Sequence, residues 1–144
     1  FGWSNWTGMY PVKFNTVDDG GFTTLVQDVN LSVSGIPVKH LIPTIGLRFD
    51  FADGKSVAYS CDTEPCENLM KLAQGADILL QESAGPGKGH TSAAQAGEIA
   101  TTADVKHLIL IHYDQSAGGQ HLLSAAQEKF KGKVSLAVDG MSLF

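Results

Sequence analysis

The chain has 144 residues, of which 43% are hydrophobic and 17% are charged, so it belongs to the ordinary globular class and has room for about one domain. Its formal net charge of −5 comes from interspersed acidic and basic residues, which argues against a dedicated nucleic-acid module with a concentrated basic face. No apolar run approaches the roughly 20 residues that a helix needs to cross a bilayer, and two cysteines are too few for a disulfide scaffold. We therefore expect a cytoplasmic protein with no membrane association.

The first part of the sequence predicts β-strands joined by turns. Residues 12–17 alternate between apolar and polar side chains, and the turn signal Asp-Asp-Gly-Gly follows at residues 18–21. A second β-rich stretch covers residues 25–38. Near its end, Gly35 and Pro37 indicate a bulge or an edge position, because proline cannot donate to a ladder of hydrogen bonds.

The rest of the sequence predicts a hairpin and then alternating helices and strands. Residues 45–51 and 55–60 are separated by Ala-Asp-Gly, which is typical of a hairpin. Because short apolar strands then alternate with helices, we expect an α/β fold with a mixed β-sheet covered by helices. The predicted helices are residues 67–74, 91–102 and 118–130, and the predicted strands are residues 76–81, 105–111 and 133–138.

Polar residues directly follow several of the predicted strands. Asp62, Glu82 and His112 come after three of them, and His40 closes the β-rich stretch in the same way. Ligands of such sheets gather beyond the carboxyl ends of the strands. Two imidazole groups and a carboxylate suit a divalent metal ion, which points to a metal site formed by His40, Asp62 and His112.

Each of these residues also has a purely structural interpretation. Asp62 could cap the helix that follows it, since aspartate is common at that position. His112 could be a hydrogen-bonded histidine at the end of a buried strand, and His90 a neighbour of a helix N-terminus.

Six short segments carry a further signal. They are residues 36–40 (Ile-Pro-Val-Lys-His) followed by residues 46–49 (Gly-Leu-Arg-Phe), residues 59–63 (Tyr-Ser-Cys-Asp-Thr), residues 76–83 (Ala-Asp-Ile-Leu-Leu-Gln-Glu-Ser), residues 89–92 (Gly-His-Thr-Ser), residues 108–112 (Leu-Ile-Leu-Ile-His) and residues 134–141. In this order they resemble segments of ribonuclease Z and its relatives in the metallo-β-lactamase superfamily. The resemblance covers about residues 25 to 144 and implies half of the αβ/βα metallo-β-lactamase sandwich.

The resemblance also implies a reaction and a role for each site residue. In this family two metal ions, usually zinc, share an aspartate, so Asp62 would bridge two zinc ions, with His40 on one ion and His112 on the other. The implied activity is a hydrolase that uses a metal-activated hydroxide on a phosphodiester or other ester-like bond, such as an RNA-like substrate. His90 would give a proton to the leaving group or a hydrogen bond to a phosphate oxygen. Glu82 would orient His90 or a ligating histidine.

One family signature is missing from the sequence. The motif histidine-x-histidine-x-aspartate-histidine is absent from these residues, and we expect it upstream of Phe1. The chain would then be the C-terminal half of the domain, and its first partner would be the missing N-terminal half. Since each ion needs about four donors, three protein ligands hold two ions poorly. We expect the chain alone to bind metal weakly and to be inactive.

Other positions also differ from the family or match none of its motifs. Cys61 stands where the family usually has glycine, and residues 113–115 (Tyr-Asp-Gln) lack the serine-and-arginine pattern of tRNA-processing members, which favours a less specialised hydrolase. Residues 85–89 (Gly-Pro-Gly-Lys-Gly) lack the spacing of a nucleotide-binding phosphate loop and are interpreted as a flexible loop on the substrate side. His107 and His121 match no motif and are expected at the surface.

A second hypothesis is a non-catalytic half-domain that acts by self-association or partner binding. A sheet separated from its partner half would expose an apolar face, and such faces drive dimerisation, so a homo-oligomer is expected. Trp3, Trp6 and Tyr10 form an aromatic cluster that would serve as a substrate wall, an interface or core packing. A nucleic-acid binder without catalysis is a third interpretation, which the acidic balance disfavours.

Overall fold

The structure is a computed structural model that describes residues 7–8, 15–18 and 20–144. The aromatic cluster of Trp3, Trp6 and Tyr10 and part of the strand expected at residues 12–17 lie outside the described residues. The described part contains a seven-stranded sheet. Its strands are β1 (Thr23–Gln27), β2 (Leu31–Val38), β3 (Thr44–Phe51), β4 (Ser56–Tyr59), β5 (Ile78–Glu82), β6 (His107–Ile111) and β7 (Lys133–Leu136).

The strands lie side by side in the order in which they occur along the chain. β1 to β4 pair as antiparallel neighbours, and β4 to β7 pair as parallel neighbours. The predicted mixed sheet is therefore confirmed. β2 and β4 both run antiparallel to β3, so β2 points the same way as the parallel strands. The carboxyl ends of β2, β4, β5 and β6 consequently meet at one edge of the sheet.

Three α-helices are present in the described part of the chain: α1 (Glu67–Ala73), α2 (Ala93–Thr102) and α3 (Gly119–Lys129), with a short 3-10 helix at Gln115–Ala117 before α3. None of them has the length and apolar character needed to span a membrane. α2 begins two residues later than expected, because the side chains of Ser92 and Gln95 form a reciprocal capping box. In this box Ser92 Oγ accepts from the Gln95 amide at 3.2 Å and Gln95 Oε1 accepts from the Ser92 amide at 2.9 Å.

The helices pack on one face of the sheet and form the main core with it. Leu108 and Leu110 of β6 face this side, together with Leu69 of α1 and Ile99 of α2, and all four side chains are almost completely buried. Burial of each such side chain stabilises the fold by about 1.5–3 kcal/mol. α2 and α3 approach closely at Gly97, where a Cβ atom would clash with the backbone of α3.

The second face of the sheet is apolar and carries no helix among the described residues. Val57, Ile78 and Ile109 are buried there against Met141 and Leu143 from the segment after β7. Beside them lies a pocket lined only by apolar surface; its lining residues are Phe49, Phe51, Val57, Tyr59, Leu80 and Leu143. The sheet thus has one face covered by helices and one face covered in part by its own C-terminal segment.

The β-rich stretch expected at residues 25–38 divides into two strands. Asp28 makes the turn between them: its side chain accepts from the Asn30 amide at 3.0 Å, and its own amide donates to the Leu31 carbonyl at 2.9 Å. Such local side-chain bonds favour a turn over a continuous strand. The bulge lies in β1, between Thr24 and Val26, while Pro37 lies beyond the last residue of β2 that pairs with β1. Pro37 therefore occupies an edge position, as expected.

The surface position expected for His107 is wrong. The imidazole is half-buried on the second face of the sheet, and its Nε2 lies 2.9 Å from Ser135 Oγ on β7. Burial, followed by the charge of Lys133, lowers the pKa of His107 from its ordinary value of 6.5. The alternation of β6 explains the position, since residues two apart share a face and Ile109 is buried on the same side.

Candidate metal centre

Three polar residues converge at the edge of the sheet where the strands end. Asp62 follows β4, His112 follows β6, and His90 lies between β5 and α2. Each offers one potential ligand atom, and these atoms all lie within 4.8 Å of one another. The parallel order of β4, β5 and β6 brings the three segments together, because their carboxyl ends share one edge.

Asp62 and His112 are in direct contact. Asp62 Oδ1 lies 2.8 Å from His112 Nδ1, and their side chains are 41% and 52% exposed. The pair therefore faces solvent, where a substrate could reach it. The backbone of His112 is left-handed, with φ of 48°. A left-handed backbone is strained for a residue other than glycine, and such strain clusters at functional sites.

Cys61, directly before Asp62, has the same unusual backbone. Its φ is 52°, in the region that favours glycine, which is the residue expected at this position from the resemblance. Partial burial, and next the Asp62 carboxylate, raise the pKa of the Cys61 thiol, whereas the Tyr59 hydroxyl opposes the change. Cys61 is a free thiol.

His90 lies between the rings of His40 and His112. Its ring centroid is 5.1 Å from that of His40 and 5.5 Å from that of His112, both in edge-on arrangements. His90 Nδ1 is buried and lies 3.4 Å from Glu82 Oε1, but it forms no hydrogen bond with any of the described residues. The contact with Glu82 is therefore electrostatic in character and stabilises a protonated imidazole more than a neutral one.

Glu82 is the buried group that joins the site segments. Its side chain is fully buried, and it accepts hydrogen bonds from three backbone amides: Thr63 at 3.3 Å, Thr91 at 2.7 Å and Ala84 at 2.9 Å. Thr91 Oγ1 also donates to the Thr63 carbonyl at 2.6 Å. Because Thr63 follows Asp62 and Thr91 follows His90, this network fixes the two segments relative to each other.

His40 lies beside this group, outside the set of atoms within 4.8 Å. Its Nδ1 is 2.7 Å from the carbonyl oxygen of Gly89, so this nitrogen donates and Nε2 is the nitrogen with the free lone pair. A bond of this kind sets which nitrogen of a histidine can bind metal. The geometry therefore leaves Nε2 as the atom of His40 that could act as a ligand.

The donor set fits a divalent cation of the zinc type. Two imidazole groups and one carboxylate are the nitrogen and oxygen donors that zinc takes in proteins, at about 2.0–2.2 Å from the ion. Ligand atoms bound to one ion at those distances lie no more than about 4.4 Å apart. The observed separations are close to this limit, so small side-chain rotations at Asp62, His90 and His112 could bring the three groups onto one ion.

Sequence reasoning missed part of the network around the site. Thr63, Glu64 and Gly89 belong to quoted motifs or lie beside them, yet no role was predicted for them. A hydroxyl next to a candidate ligand is a usable signal, because ligand segments need partners for their backbone groups. For Glu64 and Gly89 no local pattern predicts a contact between positions 25 residues apart.

Comparison with known proteins identifies the family. A family model described as "Beta-lactamase superfamily domain" matches residues 4–113. An uncharacterized protein from Mycobacterium leprae is 35% identical over 109 residues, which are 72% of this chain and 38% of that protein. Ribonuclease Z from Methanothermobacter thermautotrophicus is 40% identical over 86 residues, which are 54% of this chain and 28% of that protein.

Two solved structures share the fold. The metallo-beta-lactamase fold protein YhfI from Bacillus subtilis superposes with a TM-score of 0.76 at 21% identity, covering 87% of this chain and 52% of YhfI. The short form of human tRNase Z superposes with a TM-score of 0.65 at 22% identity, covering 84% of this chain and 46% of that chain. The chain spans about half the length of these structures and less of the curated relatives. It belongs to the beta-lactamase superfamily domain family, has the metallo-β-lactamase fold, and is similar in sequence to ribonuclease Z.

Proposed function

We propose that this chain supplies the C-terminal part of a metal-dependent hydrolase that cleaves a phosphodiester or another ester-like bond. The observation that carries the proposal is the convergence of Asp62, His90 and His112, whose potential ligand atoms lie within 4.8 Å at the carboxyl edge of the sheet. The sequence similarity to ribonuclease Z, a hydrolase by its name, supports the same class of reaction.

We assign the metal contacts of this chain to Asp62, His112 and His40. Asp62 has two carboxylate oxygens, which is what an aspartate shared between two ions requires. His112 Nδ1 already lies 2.8 Å from one of them, and the Gly89 carbonyl leaves Nε2 of His40 free. When bound, zinc or a similar divalent ion would lower the pKa of water and neutralise charge on a phosphoryl or acyl oxygen.

We assign His90 the role of proton donor to the leaving group. Glu82 Oε1 lies 3.4 Å from His90 Nδ1 and would stabilise the imidazolium form that a proton donor needs. The same carboxylate accepts from Thr63 and Thr91 and would hold His90 at a fixed position relative to Asp62. Glu82 would thus act through His90 and not on the substrate itself.

The remaining donors would come from additional chain. Three residues provide fewer contacts than two ions need, since each takes about four. The apolar second face of the sheet, around Phe49, Val57 and Leu80, is the surface against which the rest of a larger domain would pack. We infer that the upstream histidine-aspartate motif reaches the site in this way, and that the chain alone is inactive.

The decisive experiment compares the full-length gene product with its Asp62→Asn variant. We expect the wild type to bind zinc and to hydrolyse bis(p-nitrophenyl) phosphate. Asp62→Asn should lower metal content and reduce kcat/KM by more than about 100-fold, because changes at groups that only support a ligand already cost 10–100-fold. Asp53→Asn is the matched control, since Asp53 is exposed and pairs only with Lys55 among the described residues. A full-length protein that binds no metal and cleaves no phosphodiester or carboxylic ester contradicts the proposal.

Self-association is the second candidate, and the same apolar face favours it. Phe51 at this face is 37% exposed and forms an edge-on contact with Phe144. An exposed apolar face of this kind is a typical dimerisation surface. Light scattering of the isolated chain should then show a dimer or larger assembly, which Phe51→Ser should weaken. A clean monomer of the 15.3 kDa chain contradicts self-association.

A further inference from the structure

Glu64 connects two segments of the site that are distant in sequence. Its Oε1 accepts from the amide of Gly89 at 2.9 Å, and its Oε2 lies 2.7 Å from Lys39 Nζ. Lys39 directly precedes His40, Gly89 directly precedes His90, and Glu64 itself is two residues after Asp62. One carboxylate therefore touches the neighbours of two candidate site histidines from the segment that carries the candidate bridging ligand.

The Lys39 segment is joined to Glu64 through its backbone as well. The Glu64 amide donates to the Lys39 carbonyl at 2.7 Å, and the Lys39 amide donates to Thr63 Oγ1 at 3.1 Å. These bonds form an isolated antiparallel bridge between Lys39 and Glu64. The Glu64 side chain is 25% exposed and Lys39 is 64% exposed, so the carboxylate is the more fixed member of the ion pair.

The Gly89 peptide is held from two sides. Glu64 binds its amide, and His40 Nδ1 donates to its carbonyl oxygen at 2.7 Å. There is no room for a larger residue: φ is 86°, and a Cβ atom would lie 2.8 Å from His40 Nδ1. If the Gly89 amide lost its acceptor, the peptide could rotate, and the carbonyl that fixes the tautomer of His40 would move with it.

We propose that Glu64 is a positioning residue that fixes the orientation and tautomer of His40, and the place of His90, by holding the peptide of Gly89. The proposal rests on the hydrolase function for its effect on catalysis, but its structural part does not depend on that function. Glu64 has no contact with the potential ligand atoms of Asp62, His90 and His112, so it acts through the peptide and the two histidines.

Glu64→Ala and Glu64→Gln in the full-length protein separate this role from general stability. Glu64→Ala removes the acceptor, and we expect kcat to fall at least about tenfold with KM changed much less, and metal affinity to fall by a similar factor. Glu64→Gln keeps an oxygen that can accept from Gly89, so activity and metal affinity should return to near wild-type values. Glu67→Ala is the control, because Glu67 is 82% exposed and pairs with Lys71 on α1.

Long-range ¹H–¹⁵N NMR of the metal-free protein gives a readout that does not use activity. We expect His40 to be the Nδ1–H tautomer in the wild type and in Glu64→Gln. In Glu64→Ala it should be a mixture of tautomers, with faster exchange of the Gly89 amide. If Glu64→Ala does not fold, Glu64→Asp, which is one methylene shorter and cannot reach both partners, should show the same changes to a smaller extent. Unchanged tautomer, amide exchange and kcat in either folded variant overturn the proposal. A wild-type protein without metal or activity that still shows these NMR changes overturns only the hydrolase function.

Discussion

The amide of Thr91 donates to the buried carboxylate of Glu82 at 2.7 Å, in the residue directly after His90. The carboxylate comes from the end of β5, and its neighbours β4 and β6 carry Asp62 and His112 at their own ends. The position of His90 is thus determined by the central strand of the three. Stability and catalysis are therefore expected to be coupled at Glu82.

Glu82→Gln should destabilise the fold by about 1–3 kcal/mol. The carboxylate accepts from three backbone amides, and a glutamine side chain would turn its NH₂ group toward at least one of these donors and leave it unsatisfied. Urea unfolding followed by circular dichroism measures the change. Glu67→Gln on the exposed face of α1 is the control and should stay within about 0.5 kcal/mol of the wild type. Equal stability of Glu82→Gln and wild type would show that the buried hydrogen bonds are not strained by the exchange.

His90→Ala should abolish most of the activity while metal remains bound. Loss of a proton donor costs about 10²–10⁴-fold in kcat, and the loss should be smaller for substrates whose leaving group needs no proton, such as p-nitrophenolate. Metal analysis and kcat for two esters of different leaving-group pKa measure both effects in the full-length protein. His121→Ala, at an exposed position on α3, is the control. Loss of one metal equivalent would instead identify His90 as a ligand, which the cluster with Asp62 and His112 also allows.

The half-buried His107 should make stability depend on pH. Its folded pKa lies below the unfolded value of 6.5, so the unfolded chain takes up the proton first as the pH falls. This histidine therefore contributes stability above about pH 6.5, and the contribution is lost as the pH falls through the folded pKa. The difference in unfolding free energy between wild type and His107→Gln should shrink between about pH 7.5 and about pH 5. The His121→Gln control should show no comparable pH-dependent difference, and neither should His107→Gln if the expectation is wrong.

Gly97→Ala should destabilise the protein although alanine is the better helix former. Alanine gains about 1 kcal/mol of helix propensity over glycine. Its Cβ would clash with the carbonyl oxygen of Ala126 on α3, and forcing two packed helices apart costs about 1–3 kcal/mol. Thermal unfolding measures the net effect. Gly87→Ala is the matched control, because its Cβ would meet no atom within 4 Å. A raised melting temperature for Gly97→Ala would show that α3 moves away at little cost.

Much of the fold could be predicted from local patterns. The hairpin between β3 and β4 follows from Ala-Asp-Gly at residues 52–54, and the helices follow from their caps and apolar spacing. The turn at Asp28 escaped prediction, because a strand pattern continues across it and one aspartate side chain decides the outcome. His107 was misplaced for a related reason, since its burial depends on the second face of the sheet and not on a motif.

The candidate site was predictable in part. The strand-end rule places Asp62, Glu82 and His112 at one edge, and the structure has these strands parallel and adjacent. The relation of His40 to the others could not be predicted, because the direction of its ring depends on a carbonyl 49 residues away. Its role as a metal ligand and the roles of His90 and Glu82 stay predictions that the variants above can test.

The strictly sequential order of the strands has a consequence for how this sheet assembles. Each new strand pairs with the one made just before it, so no pairing has to wait for a segment from the far end of the chain. Loop-closure entropy is then small at every step, and rates of folding rise as contacts become more local. We expect the sheet to form strand by strand from either end, with Asp62 and His112 reaching their shared edge as soon as β4 to β6 have paired.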